Sequence, residues 1–369
     1  DLATRDISID RGFLRQRDPD NSLTTIMDLD FRGTWDSTQE VGNVGFQPVF
    51  SIGATTTDHF YMQYNIRLSG GGMWLTTANV SSNATVFFSD STLENWQDYG
   101  FFFNPMYLES KIILHGCKVV QDVDAMTGGA KGGLHNNHGA FRISGCDTVI
   151  IQKTDFFVRN GWTGVPPDIG DQSCIRLIPS EGQTFILTEC SLEGGYNILA
   201  LTGVNGDSTP PVATNTLVED NIFIGTSKTG EYYIQLLNSG VTMRRNLFVT
   251  PNVPIYHLNA WLSLLKTYTA DATPSALHAS SPVIIEDNTF VSLRDPTTES
   301  LTDDYSVLTN GVGHLDYTSV SGNIIYAPDH TTPINVGGPV NVYTLLDGVI
   351  ARFKGTRVNF KDIRGTFGP

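Results

Sequence analysis

Cysteine is scarce in this sequence: Cys117, Cys146, Cys174 and Cys190 are the only four in 369 residues. No CxxC pair occurs, which excludes a zinc ribbon. Four thiols in so long a chain do not make a disulfide scaffold, and they are expected as buried free thiols. Charge is sparse as well, at 17% of residues. No run of Lys and Arg longer than the Arg244–Arg245 pair occurs, and a net charge of −15 with a pI near 4.8 argues against nucleic acid as a partner. No apolar run approaches the roughly 20 residues that cross a bilayer, so membrane insertion is not expected. No signal peptide is visible; because the chain opens at Asp1 rather than Met, removal of a leading segment is expected. A long helical period is also missing, apart from a weak stretch over 261–266.

What is present is β-forming. Hydrophobic residues make up 40% of the chain, enough for a continuous core, and the 36 glycines suit a turn-rich architecture. Segments such as KIILHG, DTVIIQ, TFILTE and SPVIIEDN are short, rich in β-branched residues, and bounded by Gly, Asn, Ser or Pro.

One pattern recurs: apolar, two variable residues, a small polar or thiol residue, one variable residue, apolar. It appears as FSDSTL at Ser91, LHGCKV at Cys117, IQKTDF at Thr154 and LTECSL at Cys190. It returns as VEDNIF at Asn221, MRRNLF at Asn246, IEDNTF at Asn288 and VSGNII at Asn323. The intervals are 26, 37, 36, 31, 25, 42 and 35 residues. The shortest, 25, matches three short strands and three turns, and longer intervals read as the same coil with an insertion. In a tight turn an Asn side chain bonds backbone and tolerates left-handed dihedrals, and stacked Asn amides form a ladder. Cys, Ser and Thr fit the same inward site. A β-sandwich with chance Asn-x-Phe tripeptides is the competing fold, and eight matches in order argue against it.

The expected fold is therefore all-β: a single right-handed parallel β-helix. Residues 1–60 form an N-terminal cap and first coils, 61–339 the solenoid with loop insertions walling a groove, and 340–369 a C-terminal cap or oligomerisation segment. Over about residues 85–330 the coils resemble the pectin-lyase-like superfamily, which includes polysaccharide lyases, glycoside hydrolases and phage tailspikes. The resemblance rests on repeat form. The polygalacturonase set, the pectate-lyase arginine motif, the pectin-esterase signatures and the alginate-epimerase motif are absent; only His138-Gly139 and DQSCIRL at 171–177 are similar to pieces of the first.

Candidate chemistry concentrates at 131–144, KGGLHNNHGAFRIS, and in the coil after it. Arg142 lies between Phe141 and Ile143, and Arg176 between Ile175 and Leu177, so both should point away from the core. They are expected one coil apart, at about 4.8 Å. Gln235 alternates in the same way between Ile234 and Leu236. The intervening YNILALTG fits less well, since one Leu must face outward or lie under a loop. Two close outward arginines suit a shared anion, because guanidinium forks match carboxylate or sulfate. Outward arginines are as readily solvated or salt-bridged.

On a uronate polymer, neutralising the carboxylate acidifies the adjacent proton. His138 or His135 is the candidate base, with Lys131 or Lys153 behind them. Asp168 and Asp171, three residues apart, offer a hydrolase pair or turn-forming residues. No cofactor is required, although a calcium ion at those aspartates is conceivable. The two histidines lack a third metal ligand of convincing spacing. Trp162 and Tyr233, with Lys131, Lys153 and Gln235, are the candidate substrate-binding residues, the aromatics as sugar platforms or corner packing.

Two functions follow. The first is an enzyme cleaving an acidic polysaccharide, by β-elimination before hydrolysis. The second is a tailspike or surface adhesin, a homotrimer in such solenoids, binding or depolymerising glycans. Both place the protein outside the cell, secreted or on a virion surface.

Overall fold

In a computed structural model, the structure describes residues 7–10, 13–16, 23–28, 30–32, 48–52, 59–69, 73–77, 84–94, 101–103, 109–122, 140–159, 173–178, 180–194, 197–201, 213–226, 232–236, 239–251, 260–264, 283–293, 306–310 and 318–326. These residues form three stacked sheets, here A, B and C, of eleven, ten and ten strands. Each coil contributes one strand to each sheet. In one coil Lys111–His115 lies in B, Lys118–Asp122 in C and Phe141–Ser144 in A, and Thr148–Gln152 then returns to B. Strands of successive coils pair in parallel, as Lys111↔Thr148 through His115↔Gln152. This is a parallel β-helix. Crossovers between parallel strands of one sheet take the right-handed sense almost without exception.

Alternation builds the core. In sheet C one inward column holds Phe223, Phe248 and Phe290, whose rings stack with centroids 4.9 and 4.6 Å apart. Phe141 of sheet A meets Phe156 of sheet C edge-on at 5.5 Å. Opposed stripes thus share one continuous interior.

The turn from sheet B to sheet C has two residues in every described coil, and its chemistry explains the repeat. The first residue has positive φ: Asp28, Asn65, Asp90, Gly116, Lys153, Glu189, Asp220, Arg245, Asp287 and Gly322 occupy it in turn. In the last eight of these turns the second is the recurring small or polar residue, and all eight are buried. Asn221 Nδ2 donates to Asn246 Oδ1 at 3.0 Å, Asn246 Nδ2 to Asn288 Oδ1 at 2.9 Å, and Asn288 Nδ2 to Asn323 Oδ1 at 3.0 Å. Each Oδ1 also accepts the backbone N–H of the ladder residue before it. Ser91 and Thr154 do the same with hydroxyls, accepting from the N–H of Ile66 and Cys117. The ladder satisfies turn donors that the sheets cannot reach.

All four cysteines are free and buried, as expected. Burial pushes the thiols up, Cys117 to about 11 and Cys146 and Cys190 to about 12.

Three details refine the sequence reading. Ile7–Asp10 pairs antiparallel with Phe13–Gln16, which joins sheet A in parallel through Leu14↔Phe50, so a hairpin begins that sheet. Residue 60 falls inside the strand His59–Tyr64, already paired with Leu23–Met27 of the preceding coil. The weak helical stretch is corrected: Ala260–Leu264 is a strand of sheet A, where cross-strand pairing outweighs local propensity. Residues 340–369 lie outside the described residues.

Candidate functional site

The outer face of sheet A carries the candidate site. Phe141 and Ile143 point into the core, which turns Arg142 outward; Ile175 and Leu177 do the same for Arg176. The register pairs Arg142 directly with Arg176. The column continues from Arg176 to Ala200 and from Ala200 to Gln235. Arg142 and Arg176 are thus brought together on adjacent rungs, and Gln235 lies two rungs beyond Arg176. The leucine difficulty is also resolved: Leu199 and Leu201 align with Ile175 and Leu177, and Ala200 takes the outward place.

Exposure separates the two arginines. Arg142 is half-buried, whereas Arg176 is only 3% exposed. Neither is without an intramolecular partner. A ligand approaching this face meets Arg142 first.

Beside them lies a polar group that the sequence reading did not single out. Ser173 and Asn197 are register partners on neighbouring strands, and both are buried. Asn197 Nδ2 donates to Gln235 Oε1 at 3.3 Å. Ser173 Oγ and Asn197 Oδ1 have no hydrogen-bond partner within the chain. Buried oxygens of this kind are rare, and their burial keeps them from direct contact with a ligand on the outer face. The signal was present but weak: each is the polar first residue of its strand, two before an inward residue, Ile175 or Leu199.

Two expected binding residues lie elsewhere. Lys153 occupies the left-handed position of the turn between sheets B and C, with φ 50°, and its Nζ is 3.9 Å from Glu189 Oε2. It belongs to a different corner of the coil. Tyr233 is fully buried; its hydroxyl donates to the Val249 carbonyl at 2.9 Å and lies 3.0 Å from Thr250 Oγ1. It fastens the end of one sheet C strand to sheet A, and its ring offers no open face to a sugar. Alternation alone does not reveal which residues sit at such corners.

His135, His138, Lys131, Trp162, Asp168 and Asp171 lie outside the described residues. In the chain, His138 stands four residues before Arg142, and Asp171 five before Arg176. Among the described residues no group of three or more His, Cys, Asp or Glu side chains could hold a metal ion.

No protein-family model matches the sequence, and no match is found among curated proteins.

Proposed function

We propose that this β-helix binds an acidic polysaccharide along the outer face of sheet A and cleaves it by β-elimination. One observation carries the reading: Arg142 and Arg176 stand in register on adjacent parallel strands of that face. Two guanidinium groups at roughly one strand spacing repel unless negative charge lies between or beside them. A planar carboxylate matches the fork of Arg142, the half-buried member of the pair, while the buried Arg176 adds positive charge behind it.

The chemistry follows from the charge. Arg142 neutralises the uronate carboxylate, which acidifies the proton on the carbon bearing it. A base takes that proton. The electron pair forms the new carbon–carbon double bond, the C4–O bond breaks, and the leaving oxygen takes up a proton. His138 is the first candidate base and His135 the second, since imidazole titrates near neutral pH and both precede the Arg142 strand directly. No metal is needed for these steps. Asp168 and Asp171, before the Arg176 strand, are the pair to examine if cleavage is hydrolytic. Gln235, the partly exposed member of the same outward column, suits neutral sugar hydroxyls beside the charged group. The acidic chain fits an extracellular setting, secreted or on a virion.

The test is a panel of acidic polysaccharides followed by ultraviolet absorbance of unsaturated ends. The reading requires a rise that disappears in Arg142→Ala and in His138→Ala. New reducing ends without absorbance move the reaction to hydrolysis. Binding without cleavage makes the protein an adhesin.

A further inference from the structure

A different face of the solenoid carries an interaction surface. The middle outward column of sheet B runs Met62, Phe87, Ile113, Ile150, Ile186, Leu217 on six successive coils, each in direct register with the next. After Thr242 it resumes at Ile284. Their neighbours along each strand, such as Ile112 and Leu114 or Val149 and Ile151, fill the core. The column residues point the other way, and each is half-buried. At about 4.8 Å per rung the six make a continuous apolar stripe about 24 Å long.

Beside Met62 the stripe is bordered by the exposed Phe60 and Tyr64. Over the next three coils its borders are polar, with Thr85, Lys111 and Thr148 on one side and Ser89, His115 and Gln152 on the other. From His59 to Glu286 the outward strand positions of sheet B carry Lys111, Arg244, Glu219 and Glu286, two charges of each sign. The whole chain carries −15. The strand positions of this face are therefore close to neutral on a strongly acidic molecule, and the acidic residues, such as Asp90, Asp147, Glu181 and Asp287, stand in the turns at its edges. Soluble proteins rarely leave a long apolar patch rimmed by polar residues without a partner.

We propose that sheet B is the interface with a second copy of this chain, stripe against stripe about a two-fold axis. Three observations select that occupant. Two acidic molecules approach most easily where neither presents net charge. The dimensions suffice: ten strands of about five residues give a face of about 16 by 43 Å, or about 700 Å², close to the roughly 800 Å² per partner of a standard interface. The rung spacing of one stripe is matched by another copy, so outward side chains interdigitate at the usual sheet-to-sheet distance of about 10 Å. The chain's own last twenty residues fit less well. They carry Arg352, Lys354, Arg357, Lys361 and Arg364 against Asp362, a composition suited to an acidic surface. A glycan is a poorer match over most of the stripe, since sugars stack on aromatic rings and these lie only at its first two coils, as Phe60, Tyr64 and Phe87.

Mass in solution tests this on the full chain. Wild type is expected at about 81 kDa, twice 40.4 kDa, with a dissociation constant in or below the micromolar range. Ile150→Glu should raise that constant at least a hundredfold while leaving the circular dichroism spectrum unchanged. Ile150→Thr, which keeps the β-branched shape, should raise it about tenfold and guards against misfolding of the first variant. Ile222→Glu, on the outer face of sheet C, should leave the dimer intact. A monomeric or trimeric wild type overturns the proposal, as does a dimer indifferent to both Ile150 variants.

Discussion

Replacing Asn288 by alanine should cost about 4 kcal/mol, far more than an ordinary polar substitution. Its Oδ1 accepts from the backbone N–H and the side-chain amide of Asn246, at 3.0 and 2.9 Å. Its Nδ2 donates to the Met243 carbonyl and to Asn323 Oδ1, both at 3.0 Å. Four buried bonds at about 1 kcal/mol each give the total, and the orphaned Asn246 N–H prevents a lower figure. Asn323 is the internal control. It makes three side-chain bonds and is 7% exposed at the end of the described row, so water recovers part of the loss and Asn323→Ala should cost about 2 kcal/mol. Urea denaturation gives the free energies, and hydrogen exchange at the Asn246 amide localises the damage. Equal costs for the two variants, or an Asn246 amide as protected as in wild type, would refute the ladder as an energetic unit.

Other outcomes follow from the same geometry. The thiols have folded pKa values of about 11 to 12 for Cys117, Cys146 and Cys190 against an ordinary 9.0, so above pH 9 the unfolded chain releases protons that the folded chain keeps. Stability should therefore fall as pH rises from 9 toward 11, and a thiol reagent should modify none of the four cysteines before unfolding; rapid labelling of the native protein contradicts their burial. Gly182→Ala and Gly240→Ala separate backbone strain from collision, since both have positive φ, but a Cβ meets nothing at Gly182 and strikes the Thr214 carbonyl oxygen at Gly240. The first should cost about 1 kcal/mol and the second at least about 3, read from urea midpoints; equal costs reject the close approach.

The ladder was legible because one corner of each coil demands a small side chain that can bond the backbone, and that demand repeats. Where an apolar residue fills the corner, as Ile66 does, the pattern goes silent although the turn is the same, with Asn65 at positive φ. The left-handed residue before the ladder was harder to see, because Lys153, Glu189 and Arg245 are unusual choices for it. The Arg142 and Arg176 pairing was legible through apolar residues on both sides of each. Tyr233 and Lys153 were not, since a coil has corners that strand alternation does not number. The sheet B stripe was hidden for another reason. Strands such as KIILH and TVIIQ are apolar on both faces, as in parallel strands buried on both sides, so their sequence does not distinguish a covered outer face from an exposed one.

The sheet A reading depends on a carboxylate meeting Arg142, and a matched pair of ligands addresses that contact alone. Affinity should be measured for a uronate polymer and for the same polymer with its carboxyl groups reduced to alcohols. Wild type should prefer the acidic form by about tenfold or more, the worth of one charge-assisted pair, and Arg142→Ala should erase the preference while binding the reduced form unchanged. Equal affinity of wild type for the two polymers would contradict the account.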